Sequence, residues 1–162
     1  MLSSYSATLP ELKGCAIQQV RWSPYFRHSD IKSSRLTLSN MDVEELLLRY
    51  AAGERDFTGA KLPRAKLVGV KLVGVNFWGA DLSGANLAKA KLWGANLSGA
   101  NLSKANLTRA NLSGASLNEA NLRATKLNSA KLFGASLSGA YYDESTRFSK
   151  GFDPQSRNMR HV

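Results

Sequence analysis

Between Arg55 and Glu144 the groups suited to acid–base catalysis are five carboxylates, Asp56, Asp81, Glu119, Asp143 and Glu144, and this stretch holds no His and no Cys. General acid and base work needs two such groups converging on one bond. No such pair is expected from Asp56 and Asp81. The serines, Ser83, Ser98, Ser103 and Ser113 among them, stand in outward columns without a base to activate them and read as solvated surface. Cys15 is alone, which excludes an internal disulfide. With His28 and His161 in the flanks it offers no metal-ligand spacing. The expectation is a protein that is not an enzyme and has no metal and no cofactor.

Chemistry of recognition is better represented. The chain carries 22 basic and 12 acidic residues, a net charge of +10. Residues 55–144 contribute 12 basic and 5 acidic residues, a net of +7. Wound twenty residues to the coil, as the resemblance carried by the repeats implies, the chain places Lys66, Lys89, Arg109 and Lys126 on one side, with Lys71, Lys91 and Lys131 on the next. Such a basic corner would attract nucleic acid, an anionic membrane or an acidic protein. Lysines that simply solubilise a Leu-rich rod would give the same count. Val73, Trp93 and Phe133 fall in one outward column with Ser113, next to the flat corners Gly74, Gly94, Gly114 and Gly134, and Trp78 lies on the following side. Large apolar groups above a glycine floor, rimmed by Lys71, Lys91 and Lys131, form a candidate partner-binding patch. The plainer alternative is that they cover backbone or an N-terminal helix.

The elements that must position these residues follow from one regularity. Eighteen consecutive five-residue units run from Arg55 to Glu144, with Leu at the centre of fifteen and Phe57, Phe77 and Tyr142 at the centre of the rest. Two residues before the centre, Ala stands in fourteen units, the exceptions being Arg55, Val70, Val75 and Thr125. A period of five is not a helical stripe, because successive leucines would sit about 140° apart. It is not a straight strand either, since an odd repeat alternates faces. A short extended piece, with Ala and Leu pointing the same way, followed by a two-residue bend satisfies both columns. Repetition of that unit winds a solenoid. The second residue after the centre is Gly in ten units, as turns with positive φ require. Lys89, Lys104, Arg109 and Glu119 in the same column predict a mixture of turn types.

Ala80-Asp81-Leu82, Ala85-Asn86-Leu87, Ala95-Asn96-Leu97, Ala100-Asn101-Leu102, Ala105-Asn106-Leu107 and Ala110-Asn111-Leu112 resemble the signature of the pentapeptide-repeat family. The resemblance implies an all-β solenoid, a right-handed quadrilateral β-helix with four units per coil and Leu and Ala inside, a coil of twenty residues that puts Asp56 and Asp81 on different sides. The chain departs from the signature at Lys61, Lys66, Lys71, Lys91, Lys126 and Lys131, which alters the outside. Some members of the family act on DNA gyrase by presenting a long acidic surface like duplex DNA. A rod of four and a half coils, about 20 Å long at the usual strand spacing, and basic besides, argues against that role here.

Open solenoid ends expose core and unpaired backbone, so both need covers. Val43, Leu46, Leu47, Tyr50 and Ala51 recur at helical spacing. They predict a short α-helical cap over residues 40–54, started by Asn40 or Ser39 and stopped at Gly53. Residues 145–162 form a C-terminal cap and tail, in which aromatics replace Leu; the ending is similar to those of family members from photosynthetic bacteria. Arg157 to Val162 is expected to fray. Tyr141, Tyr142 and Phe148 should cover the last coil, and an end-to-end dimer follows if they fail to. Residues 1–39, with Pro10, Pro24 and no sustained period, read as a disordered extension, dispensable if the stable product begins near Met41. No signal-like apolar run and no membrane span is present, so the cytoplasm is the expected location. The expected function is a rigid protein–protein interaction module. A binder of nucleic acid or an anionic surface through the basic face is the alternative.

Overall fold

The structure, a computed structural model, describes residues 41–162. The expectations for residues 1–39, and those for Cys15 and His28, lie outside the described residues.

Each coil takes twenty residues. Bridges join Asp56 to Asn76, Asn76 to Asn96, Lys61 to Asp81 and so on in parallel, always to the residue twenty further along, until Asn121 meets Tyr141. Four five-residue units per coil give four sides. The first is centred on Phe57, Phe77, Leu97, Leu117 and Leu137, and the second on Leu62, Leu82, Leu102 and Leu122. The third is centred on Leu67, Leu87, Leu107 and Leu127, and the fourth on Leu72, Leu92, Leu112 and Leu132. Between Leu67 and Leu122 every central residue is wholly buried, and Ala80 to Ala120 behind them are equally closed. The Ala-Leu spacing thus fills the tube with aliphatic ladders. No unit could bury its Leu alone, so neighbours supply the stability. Thr125, the one hydroxyl in the Ala column, is also fully buried and donates to Leu102 O at 2.7 Å. That bond removes the penalty of burying a polar group.

The corners are uniform, against the expectation of mixed turns. All seventeen corner residues from Gly59 to Gly139 have positive φ, including Lys89 and Lys104 at 60°, Arg109 at 59° and Glu119 at 58°. Positive φ at the third residue distinguishes a type II from a type I turn. The ladder imposes it from Gly59 to Glu119, where the corner N–H must reach the next coil, as Lys89 N–H reaches Thr108 O at 2.9 Å, and Ala124, Ser129 and Gly134 keep the same geometry without a backbone acceptor above. A non-glycine residue adopts the left-handed region there at a local cost.

The Asp or Asn before the centre has a specific task. Each of the nine, from Asp56 to Asn121, accepts the backbone N–H of the residue two further on through Oδ1, at 3.0 to 3.3 Å. This Asx contact satisfies a turn N–H that the ladder leaves over. Along the first side the same amides also bond to each other, Asn76 Nδ2 to Asp56 Oδ1 at 2.9 Å and Asn96 Nδ2 to Asn76 Oδ1 at 3.0 Å.

The helix predicted before the repeats is present as α1, Val43–Ala51. Its N-cap is Asp42 rather than Asn40 or Ser39, because Asp42 Oδ1 accepts Glu45 N–H at 2.8 Å. Leu46 is fully buried, and Val43, Leu47 and Tyr50 pack against the core. Glu54 binds Arg49 side by side, Nε to Oε2 at 2.7 Å, which holds the guanidinium pKa above its ordinary value.

At the other end one extra residue enters the third side, where Lys126 pairs with Arg147. The chain then turns through a 3-10 segment, Gln155–Arg157, and does not fray. Arg160–His161 (β2) pairs in parallel with Tyr141–Tyr142 (β1). Met159 is buried, and Tyr142 meets His161 and Phe148 edge-on at 5.0 and 5.8 Å between ring centroids. Backbone pairing and aromatic contact together outweigh the fraying expected of a polar tail.

Candidate functional site

The coil register decides which candidate residues meet. Gly74 N–H donates to Trp93 O, Gly94 N–H to Ser113 O and Gly114 N–H to Phe133 O, at 3.1, 2.9 and 2.9 Å. Val73, Trp93, Ser113 and Phe133 therefore form one column up the fourth side. Trp93 and Phe133 are 53% and 87% exposed. Val73 is half-buried, and its carbonyl accepts the Tyr50 hydroxyl of α1. Trp78, 56% exposed, stands around a corner on the first side, where its carbonyl accepts Gly59 N–H. The column is thus an apolar pair, Trp93 and Phe133, with Val73 tucked under the helix and Trp78 facing elsewhere.

The basic residues come together as the folding by twenty requires. Lys66, Lys89, Arg109 and Lys126 stand on the third side and Lys71, Lys91 and Lys131 on the fourth, all exposed. Neither of these two sides carries an Asp or Glu between residues 65 and 134. The first and second sides hold Arg55, Lys61, Arg64, Lys104 and Arg123 against the five carboxylates. The whole +7 of the repeats consequently resides on half of the surface.

Sequence reasoning missed what those lysines displace. Lys66, Lys71, Lys91, Lys126 and Lys131 occupy the position where Asp or Asn elsewhere accepts the turn N–H, and a Lys ammonium has no acceptor. All five lie on the third and fourth sides. Lys61, on the second side, is followed two residues later by Pro63, which has no N–H to satisfy. Lys71 and Lys91 are moreover direct bridge partners, a like-charge juxtaposition that weakens a sheet. The signal was visible in the columns once the Asx contact was known.

Asp56 and Asp81 lie on different sides, as expected. Asp56, on the first side, has its pKa held below the ordinary carboxylate value by the Thr58 hydroxyl and N–H and by Asn76. Asp81 lies on the second side opposite Lys61. Asp143 is also lowered, chiefly because Ala124 N–H donates to it at 2.9 Å, with Thr146 and Ser145 adding bonds. Each is engaged in holding backbone. No cluster of three or more metal-ligating side chains exists among the described residues, and no helix among them is long and apolar enough to cross a membrane.

A parallel stack of twenty-residue coils with four flat sides, a sealed aliphatic interior and chemistry confined to its outside defines a quadrilateral β-solenoid. The chain belongs to the pentapeptide-repeat family: the model of pentapeptide repeats matches it in eight copies, over residues 56–79, 80–118 and 105–141. Members of this family form right-handed quadrilateral β-helices. Among solved structures, alr5209, a pentapeptide repeat protein from Nostoc PCC 7120, is 40% identical over 75% of this chain and 96% of its own, with a TM-score of 0.55. A pentapeptide repeat protein of the Arabidopsis thaliana thylakoid lumen is 36% identical over 62% of this chain and 60% of its own, with a TM-score of 0.39. HetL from the same Nostoc strain, a pentapeptide repeat protein involved in regulating heterocyst differentiation, is 35% identical over 67% of this chain and 57% of its own, also at 0.39. No curated protein matches by sequence.

Proposed function

We propose that the protein is a non-enzymatic interaction module: a rigid solenoid that presents its third and fourth sides to another protein. The observation that carries this reading is the placement of five lysines in the column where Asp or Asn elsewhere accepts a turn N–H, beside the exposed pair Trp93 and Phe133. Lysines needed only for solubility have cheaper positions, such as the first bend residue used by Arg123, which is exposed and free of positive φ. In this reading α1 and residues 145–162 are caps that keep the ends of the aliphatic core from solvent, and Trp78 extends the patch around the corner. The proposal also places the module in the cytoplasm, which fractionation of the source cells tests. Replacing Trp93 and Phe133 together by Ser should leave the circular dichroism spectrum unchanged and abolish partner capture. Capture that survives the double substitution defeats the proposal.

A second reading, a nucleic-acid or anionic-surface binder, is favoured by the confinement of the net charge to two sides. Salt separates the two. A purely electrostatic binder loses affinity steeply with ionic strength, whereas capture anchored on Trp93 and Phe133 retains a salt-insensitive part.

A further inference from the structure

The fourth side ends one coil before the other three. Ser136, Tyr141 and Arg147 continue the first, second and third sides above Ser116, Asn121 and Lys126. No described residue bridges to Lys131 from above. In the lower coils a fourth-side strand uses three backbone groups for its successor: Val70 O accepts from Lys91 N–H, while Leu72 N–H and Gly74 N–H donate to Lys91 O and Trp93 O. The equivalent groups of the last strand, Ala130 O, Leu132 N–H and Gly134 N–H, have no backbone partner among the described residues. Leu132 is half-buried, whereas Leu72, Leu92 and Leu112 below it are wholly buried, and Phe133 beside it is the most open of the exposed large hydrophobic side chains.

We infer that an acidic polypeptide segment, bound in extended conformation, adds to Lys131–Gly134 as the missing rung of the fourth side. This rests on the interaction-module reading and specifies its partner. One acceptor and two donors at strand spacing complement a peptide backbone, as in β-strand addition. A phosphate chain offers no N–H for Ala130 O, and a lipid headgroup does not present a donor and two acceptors at strand spacing. The partner is acidic because the third and fourth sides carry seven basic residues and no carboxylate between residues 65 and 134. It is a segment rather than a folded domain because a side is narrow. Three extended residues span about 10 Å and four to five coils about 20 Å, so one side offers roughly 200 Å² against the ~800 Å² per partner of a standard interface. An apolar residue of the segment covers Leu132, and its acidic neighbours alternate outward on the face that carries Lys131.

The test uses the full chain and three labelled probes: a peptide of about ten residues alternating Glu and Leu, an oligouridylate of about ten nucleotides, and vesicles containing an anionic phospholipid. The peptide should bind tightest, slow hydrogen exchange at the Leu132 and Gly134 amides, and lose about ten-fold in affinity when Lys71, Lys91 and Lys131 are changed to Ser. Peptide binding that leaves those two amides exchanging freely overturns the inference. So does tighter binding of the oligouridylate or the vesicles, which would favour the second reading, a nucleic-acid or anionic-surface binder. Protection of both amides in the protein alone, together with a dimer in sedimentation, assigns the edge to a second copy and also overturns it. If no probe binds, the acidic segment is rejected, and the capture experiment alone decides the module.

Discussion

Tyr50 donates its hydroxyl hydrogen to the carbonyl oxygen of Val73 at 2.9 Å, fastening α1 to the column that carries Trp93 and Phe133. The Arg55 guanidinium covers the same ring, 3.8 Å from its centroid. The helix is too short to persist alone, so its order depends on such contacts and on the burial of Leu46. Tyr50→Phe keeps the packing and removes one hydrogen bond, which should cost about 1 kcal/mol. Urea denaturation followed by circular dichroism measures it; an unchanged midpoint would show that Val73 O is served equally well by water.

Ala124 and Ser129 hold φ of 54° and 58° at corners where ten units use Gly. Ala124→Gly relieves a left-handed conformation that a Cβ disfavours, against a smaller gain in unfolded-state entropy. Stability should rise by about 1 kcal/mol, and Ser129→Gly should act in the same direction. A fall in melting temperature for both would mean that corner strain is absorbed elsewhere in the coil.

These corners also mark what the sequence conveyed and what it withheld. The Ala and Leu columns announce the inward ladders, because their spacing of two followed by a bend admits only a solenoid, while the register of twenty that places every outward residue came from the family resemblance. Turn type was not legible from Lys89 or Glu119, since local propensity gives way to a ladder that demands one geometry at every corner. Tail order was missed because the pairing of Arg160 with Tyr141 is long-range, and nothing local to Arg157–Val162 encodes it. On the candidate surface the columns located Trp93, Phe133 and the lysines correctly. They did not show that the Val73 carbonyl holds Tyr50, nor that five of the lysines stand in the column of the Asx acceptors.

Asp143 ties the C-terminal segment to Ala124, and its folded pKa lies below the ordinary carboxylate value because it accepts that N–H. A depressed carboxylate contributes stability above its unfolded value, and the contribution disappears as pH falls through the folded one. Melting temperature should therefore decline below about pH 4. Asp143→Asn keeps an acceptor for Ala124 N–H but no longer titrates, so its decline should be shallower. Parallel curves for the two proteins between about pH 2 and pH 6 would assign the acid sensitivity to other carboxylates.

Lys91 brings stability and recognition into opposition. It bridges directly to Lys71 and stands where Asn111, one coil above, accepts the N–H of Ser113 at 3.1 Å. Lys91→Asn removes the like-charge pair and supplies an acceptor for Trp93 N–H. Stability should increase by about 1 kcal/mol. If the lysine serves recognition, the same substitution should weaken acidic-peptide binding several-fold, with the loss greatest at low salt. A variant that is more stable and binds equally well would reduce Lys91 to a solubilising charge. One that is more stable and binds less well would identify it as a residue kept for its partner at the expense of the fold.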